Sequence, residues 1–315
     1  MNQISSTLKD FKKNSAFLKV DAIPFQSTVL SSFKMAGVGV HSGKEITIIV
    51  EPSDVNTGIV FERTDIETNN RIPAVFDFVS NTAMCTQITN KFGVSVSTIE
   101  HLMAALSGCG VNNCVVKIDG PEVPIMDGSA KPFCDAILSI GVGFQPEKVK
   151  TLKIIKPVRV QNGQSFAELH PSDSRSFNMH FDFYGRMPQN LQKDTVLSFD
   201  LDKHPFNRLL AHARTFGFYE DAQKLLEKGL ARGANLQNTI IIKNEQVLNE
   251  EGLRSENEFI EHKLLDAVGD LALSNFHIIG SYHAYNGSHS INNQLMRELF
   301  KSIDSWYWIE SNQQH

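Results

Sequence analysis

His262, Asp266 and Asp270 recur at four-residue intervals in Glu261-His262-Lys263-Leu264-Leu265-Asp266-Ala267-Val268-Gly269-Asp270-Leu271. At about 100° per residue on a helix, the three fall within one quarter of the circumference, with Lys263 beside them. Leu264, Leu265, Val268, Leu271 and Ala272 take the opposite side. An imidazole and a carboxylate four residues apart on a helix can place a nitrogen and an oxygen on one metal ion. The same spacing also suits a solvated polar face. A second segment, Ser97-Thr98-Ile99-Glu100-His101-Leu102, sets an acid and an imidazole side by side at a helix start. Ser97 followed three residues later by Glu100 matches a capping box, which would leave His101 an incidental surface residue. Read functionally, His101 is a third metal ligand and Glu100 the base beside it. Two histidines and one carboxylate leave the fourth zinc position open, as in a hydrolytic rather than a structural site. Zinc brings the pKa of a water there toward about 7, and a neighbouring glutamate can take its proton.

Other strings carry less. His289 lies in the turn-rich Tyr285-Asn286-Gly287-Ser288-His289-Ser290, which suits an exposed loop histidine or a general acid reaching into a site. Arg214-Thr215-Phe216-Gly217-Phe218 reads as core and turn when taken alone. Cys109 and Cys114 have the wrong spacing for a zinc knuckle, and no second pair is near. Gly37-Val38-Gly39-Val40 lacks the third glycine, the lysine and the following helix of a phosphate loop.

The elements that must position these groups come from a chain of 315 residues, 41% of them hydrophobic, enough for two domains with substantial cores. With 30 Lys+Arg against 35 Asp+Glu, a formal net charge of −5 excludes a generally basic nucleic-acid binder. No apolar run approaches the roughly 20 residues of a transmembrane helix. The first twenty positions lack the apolar stretch of an export signal, so a cytoplasmic location is expected. Cys85, Cys109, Cys114 and Cys134 are read as reduced thiols.

Residues 1–24 read as a disordered extension. Strands are expected at Met35–Val40, Glu45–Val50, Ile59–Glu62 and Cys114–Ile118, with helices from Ser97 or Thr98 to Gly108 or Gly110 and over about 130–140. A linker is expected over 141–148. Beyond it come strands at Ser176–Phe183, Asp194–Phe199, Thr239–Lys243 and His277–Tyr285. Helices follow at 218–228, 257–275 and about 291–308. Antiparallel-looking strands followed by helices predict an α+β fold of two domains, 25–145 and 150–315.

Taken in order, several strings resemble the UDP-3-O-acyl-N-acetylglucosamine deacetylase family. They are Ala36-Gly37-Val38-Gly39-Val40-His41-Ser42-Gly43-Lys44, Ser97 to Leu102, Pro124-Ile125-Met126-Asp127-Gly128-Ser129-Ala130 and Ala213-Arg214-Thr215-Phe216-Gly217-Phe218. Val247-Leu248-Asn249, Gly252-Leu253-Arg254 and His262 to Leu271 continue the match, which runs from about Phe25 to about Trp308. The resemblance implies two domains, each a sheet layered with helices, with the active site in the cleft between them. It implies the committed step of lipid A biosynthesis in Gram-negative bacteria, the removal of the N-acetyl group from UDP-3-O-(3-hydroxyacyl)-N-acetylglucosamine. By the same resemblance, His101, His262 and Asp266 hold zinc, and Glu100 is the general base. Thr215 and Lys263 stabilise the oxyanion, and His289 protonates the leaving amine while Asp270 orients it. An inserted βαβ region at about 216–243 would form a passage for the acyl chain, with Phe216 and Phe218 at its mouth. His41, Met84 and Cys85 would lie near the active site, and Lys263 would meet the diphosphate. Iron(II) suits the same ligands.

The small-molecule substrate is the only partner implied, and the chain is expected to act as a monomer. Two rival readings are a zinc amidase acting on another acylated amino sugar and a non-catalytic binder of the nucleotide lipid. Glu100, Lys263 and His289 together speak against the second, since a binder has no use for all three.

Overall fold

The computed structural model describes residues 24–188 and 190–309. Apart from Pro24, the expected N-terminal extension lies outside them. The fold is α+β, with sheets layered against helices.

In the first half a five-stranded sheet runs in the order Phe33–Val38, Glu45–Pro52, Cys114–Ile118, Ile59–Arg63 and Arg71–Pro73. Glu45–Pro52 alternates as its sequence demands: Ile46, Ile48 and Val50 are buried while their neighbours are not. Helices α1 (Glu100–Gly108) and α2 (Lys131–Ile140) pack in the same half.

The second half is built on a seven-stranded sheet around His277–Tyr285. The start of that strand pairs parallel with Thr151–Ile154, and its remainder runs antiparallel to Ser165–His170 and parallel to Arg175–His180. Ile278, Ile279, Tyr282 and Tyr285, β-branched or aromatic, suit a central strand with neighbours on both sides. After the short α3 (Phe206–Leu209), Phe216–Phe218, α4 (Tyr219–Glu227) and Ile240–Lys243 form a βαβ unit whose strands pair in parallel. The chain then enters α5 (Glu258–Ala272) and, past the central strand, α6 (His289–Lys301).

Three expectations need correction. The stretch read as a linker is the strand Val142–Lys148, paired antiparallel with Phe25–Val29; its glycines and proline hid a pairing whose partner lies more than a hundred residues away. The last helix stops at Lys301, and Trp306–Ile309 is a strand paired with Thr151–Ile154, as aromatic and β-branched residues favour. Finally, Phe181 and Phe183 lie beyond the end of Arg175–His180, where Phe183 and Tyr184 take left-handed backbone angles.

Helix α5 is buried on nearly all sides. Its closest partner is α1, and Gly269 makes that approach possible: a Cβ there would lie 2.1 Å from the carbonyl oxygen of Glu100. Alanine is intrinsically better in a helix by roughly 1 kcal/mol, but overpacking against backbone costs about 1–3 kcal/mol. Gly269→Ala is therefore expected to lower the melting temperature, read by thermal denaturation, and to impair the site that Glu100 opens. A variant as stable as the parent would show that the two helices have slack.

Candidate active site

Helix α1 supplies His101 and α5 supplies His262 and Asp266, all buried. Asp266 Oδ1 lies 3.6 Å from His101 Nε2 and 3.5 Å from His262 Nε2. The two imidazole centroids are 5.0 Å apart with their planes at 84°. His262 Nδ1 faces the Ala213 carbonyl at 3.2 Å, so the hydrogen bond requires the proton on Nδ1 and leaves the Nε2 lone pair turned to Asp266. Burial pushes the His262 pKa down to about 3, which keeps the ring neutral. Although burial disfavours its charge, Asp266 is held well below the usual carboxylate range by the cations near it, Lys263 and His289.

Lys263 Nζ donates to Asp266 Oδ2 at 2.7 Å, while buried Oδ1 accepts no hydrogen bond. A desolvated, ionised oxygen without a donor is costly. Its neighbours are imidazole nitrogens set too far for hydrogen bonds and close enough to share a cation. These residues fit a divalent metal ion.

The acid at the start of α1 sits beside this cluster. No capping box forms: Ile99 is the residue before the helix, Ser97 Oγ donates to the Pro121 carbonyl, and Thr98 has φ 56°. Glu100 is turned inward instead, where its Oε2 accepts from the Thr86 amide at 3.0 Å and its Oε1 stands 3.8 Å from His289 Nε2. Burial raises the Glu100 pKa, against the pull of His289 and His101.

His289 is no exposed loop residue. It begins α6, whose cap is Ser288, and its side chain is 11% exposed. Nδ1 meets Asp270 Oδ2 at 2.8 Å. Burial works against charge on this ring, but Asp270, with Glu100 and Asp266 behind it, lifts its pKa to about 10. The ring is thus a cation at neutral pH, with Nε2 directed toward Glu100.

Asp270 is itself fixed by groups that sequence reasoning missed. Thr86 Oγ1 donates to its Oδ1 at 2.6 Å and Asn292 Nδ2 to its Oδ2 at 2.8 Å, and Tyr282 OH donates to Asn292 Oδ1 at 2.6 Å. Asn292 follows His289 by three residues on one helix and was open to prediction on that ground. Nothing in the sequence marks Thr86.

The remaining predicted residues flank this centre. Thr215 is half-buried, two residues beyond Ala213, and its amide donates to the Gly128 carbonyl at 2.8 Å. A Cβ on Gly128 would lie 2.1 Å from the Asn238 carbonyl oxygen, which explains a glycine with φ 87° in that motif. The Phe216 ring is 6.1 Å from that of His262, and Lys263 Nζ lies 5.7 Å from its centroid. Phe218 stacks on Phe183 at 5.2 Å, under the Arg186 guanidinium.

His41 accepts from the Ala231 amide at its Nδ1 and bonds the Met84 backbone; burial lowers its pKa, against Glu122. Met84 is exposed, whereas Cys85 is buried beside Glu100, its thiol pushed up to about 12 by desolvation first and Glu100 second. Glu122, also unforeseen, is buried and accepts from the amides of His41 and Ser42 and from Thr98 Oγ1. All four cysteines are free thiols. No helix among the described residues is long and apolar enough to cross a membrane.

Comparison with known proteins finds relatives over most of the chain. The profile of the UDP-3-O-acyl N-acetylglycosamine deacetylase (LpxC) family matches residues 26–301. The UDP-3-O-acyl-N-acetylglucosamine deacetylase of Shewanella frigidimarina is 43% identical over 282 residues, covering 90% of this chain and 92% of the relative. The enzyme of the same name from Shewanella pealeana is 43% identical over the same shares. Family profile and relatives span nearly all of the described fold and every residue of the buried cluster, and the chain accordingly belongs to the UDP-3-O-acyl N-acetylglycosamine deacetylase family.

Proposed function

We propose that this chain hydrolyses the N-acetyl group of UDP-3-O-(3-hydroxyacyl)-N-acetylglucosamine, releasing acetate in lipid A biosynthesis, with zinc as the metal. The observation that carries the reading is the convergence of His101, His262 and Asp266 with Glu100 and a cationic His289 in one buried site. When bound there, zinc would supply Lewis acidity toward water and the acetyl carbonyl, and iron(II) could serve on the same ligands.

The protein's own groups supply the rest. Glu100, raised in pKa and poised 3.8 Å from His289, takes the proton of the attacking water as the new carbon–oxygen bond forms. Lys263 and Thr215 steady the negative charge that develops on the carbonyl oxygen. As the carbon–nitrogen bond breaks, His289 gives its Nε2 proton to the departing amine, and Asp270 holds the ring in place through Nδ1. Acetate and the free amine are the products.

The parts line up as two domains, 25–145 and 150–315, each contributing one side of the site. The βαβ unit of about 216–243 would guide the acyl chain. Phe216 and Phe218 stand at its entry, and the unit's Ala231 to Gly233 loop meets His41 and Val40 through backbone bonds. Met84 and Cys85 would border the sugar end, with Lys263 toward the diphosphate. A cytoplasmic monomer completes the reading.

Glu100→Gln should retain stoichiometric zinc but lose at least about 100-fold in acetate release, the ordinary worth of a general base. Asp266→Ala should lose the metal itself, measured by elemental analysis. Near-normal turnover in the first variant would remove Glu100 from its role.

The pH dependence follows from the same groups. Glu100 must be ionised, so kcat/KM should climb as pH passes its raised pKa, above the usual carboxylate range. His289 must be protonated, so activity should fall as pH rises toward the histidine's value of about 10. His289→Asn should flatten the alkaline side, and a surviving alkaline limb would point to another acid. Turnover of UDP-N-acetylglucosamine lacking the ester-linked chain should be far slower than that of the acylated compound; equal rates would remove the passage from substrate selection.

A further inference from the structure

Arg214 is 1% exposed and Glu258 is 0% exposed, and they meet in a paired contact. Arg214 Nε lies 2.8 Å from Glu258 Oε1 and Nη2 lies 3.1 Å from Oε2, while the Arg214 amide donates to Oε1 at 3.1 Å. The remaining guanidinium donors reach Glu251 Oε1 at 2.6 Å and the Gly252 carbonyl at 2.7 Å. Glu258 also accepts from the Arg254 amide at 2.6 Å.

Burying such a pair is a poor route to stability, since desolvation cancels much of the attraction. What it offers is fixed geometry. Glu258 stands one helical turn before His262 on α5, and Arg214 directly follows Ala213, whose carbonyl faces His262 Nδ1 at 3.2 Å. The segment leading into Phe216–Phe218 and helix α5 are thus joined at two adjacent points. The flanking residues are tied as well: Arg254 Nη1 donates to the His212 carbonyl at 3.0 Å and the Thr215 amide to Gly128 at 2.8 Å. The Ala213 carbonyl has little room to turn away from the imidazole.

We propose that Arg214 and Glu258 are positioning residues for the metal ligand His262. Their ion pair holds the Ala213 carbonyl against Nδ1, which fixes the Nδ1–H tautomer and aims the Nε2 lone pair at the cation. The proposal deepens the reading of His262 as a ligand and rests on it. Groups that orient a ligating histidine in this way typically affect metal affinity about 10- to 100-fold.

The test begins on the unaltered, metal-free protein. Nitrogen-15 NMR of its histidines should show His262 as the Nδ1–H tautomer, and an Nε2–H form would overturn the proposal. Zinc affinity is then measured by chelator competition on the folded parent, Glu258→Gln and Glu251→Gln. Glu258→Gln should bind zinc about 10- to 100-fold more weakly. Glu251 is half-exposed, so Glu251→Gln keeps the fold if the buried variant does not, and it should weaken zinc binding less but in the same direction. A purely structural clamp would lower the metal-free melting temperature and leave the zinc affinity of folded protein, and the His262 tautomer, unchanged; that result refutes positioning. A parent that takes up no zinc at all would instead defeat the reading of the metal site, which the NMR signal separates from a failure of the ion pair.

Discussion

The contact on which the site depends is backbone against backbone: the Glu100 carbonyl resting on α5 at Gly269, where a Cβ would sit 2.1 Å away. Side chains radiating from two helices converge within metal-binding distance only if the axes come close at that level. Ala104 and Ala105 on α1 are small and fully buried, in keeping with such an approach. With the backbones this near, His101 reaches Asp266 from across the interface, and Glu100 reaches the neighbourhood of His289. A bulkier residue at 269 would move the ligand His101 and the base Glu100 together away from the ligands on α5, since both hang from the first turn of α1.

Charge supplies the second constraint. Glu100, Asp266 and Asp270 bring three carboxylates into a buried volume, and His289 and Lys263 bring the cations that face them. With His262 held neutral, the three carboxylates outnumber the two cationic side chains that face them, and Oδ1 of Asp266 is left without a donor. Such an arrangement would ordinarily be expensive. A divalent cation reverses the sign of the imbalance at the place where it is greatest. The site is thus organised around the ion it fits, and the acid–base pair is tuned by the same crowding: burial lifts Glu100, and its acidic neighbours lift His289.

Much of this was legible in the chain because it is local. The four-residue spacing of His262, Asp266 and Asp270 required only that the segment be helical, and α5 covers it. Strands with clean alternation or bracketing turns, such as Cys114–Ile118 and His277–Tyr285, were placed to the residue. Illegible features depended on distant partners. Val142–Lys148 needs Phe25–Val29 to be a strand, and Trp306–Ile309 needs Thr151–Ile154. The capping-box expectation failed for a related reason: a local pattern assigned Glu100 to the helix end, while a distant amide, that of Thr86, claimed its carboxylate.

Thr86 shows why such a residue escapes motif reading although the chemistry leans on it. Its amide donates to Glu100 Oε2 and its hydroxyl to Asp270 Oδ1, so one residue sets the base and the carboxylate behind the acid in a common frame. The two bonds run to different halves of the molecule. The acid and base therefore keep their spacing only while the halves stay in register, and His289 inherits its position through Asp270. Two residues earlier, Met84 turns the chain with φ 70°, a conformation uncommon for a side chain of that kind. The strained turn delivers both donors of Thr86 to opposite carboxylates, and neither spacing nor residue type along the chain announces that geometry.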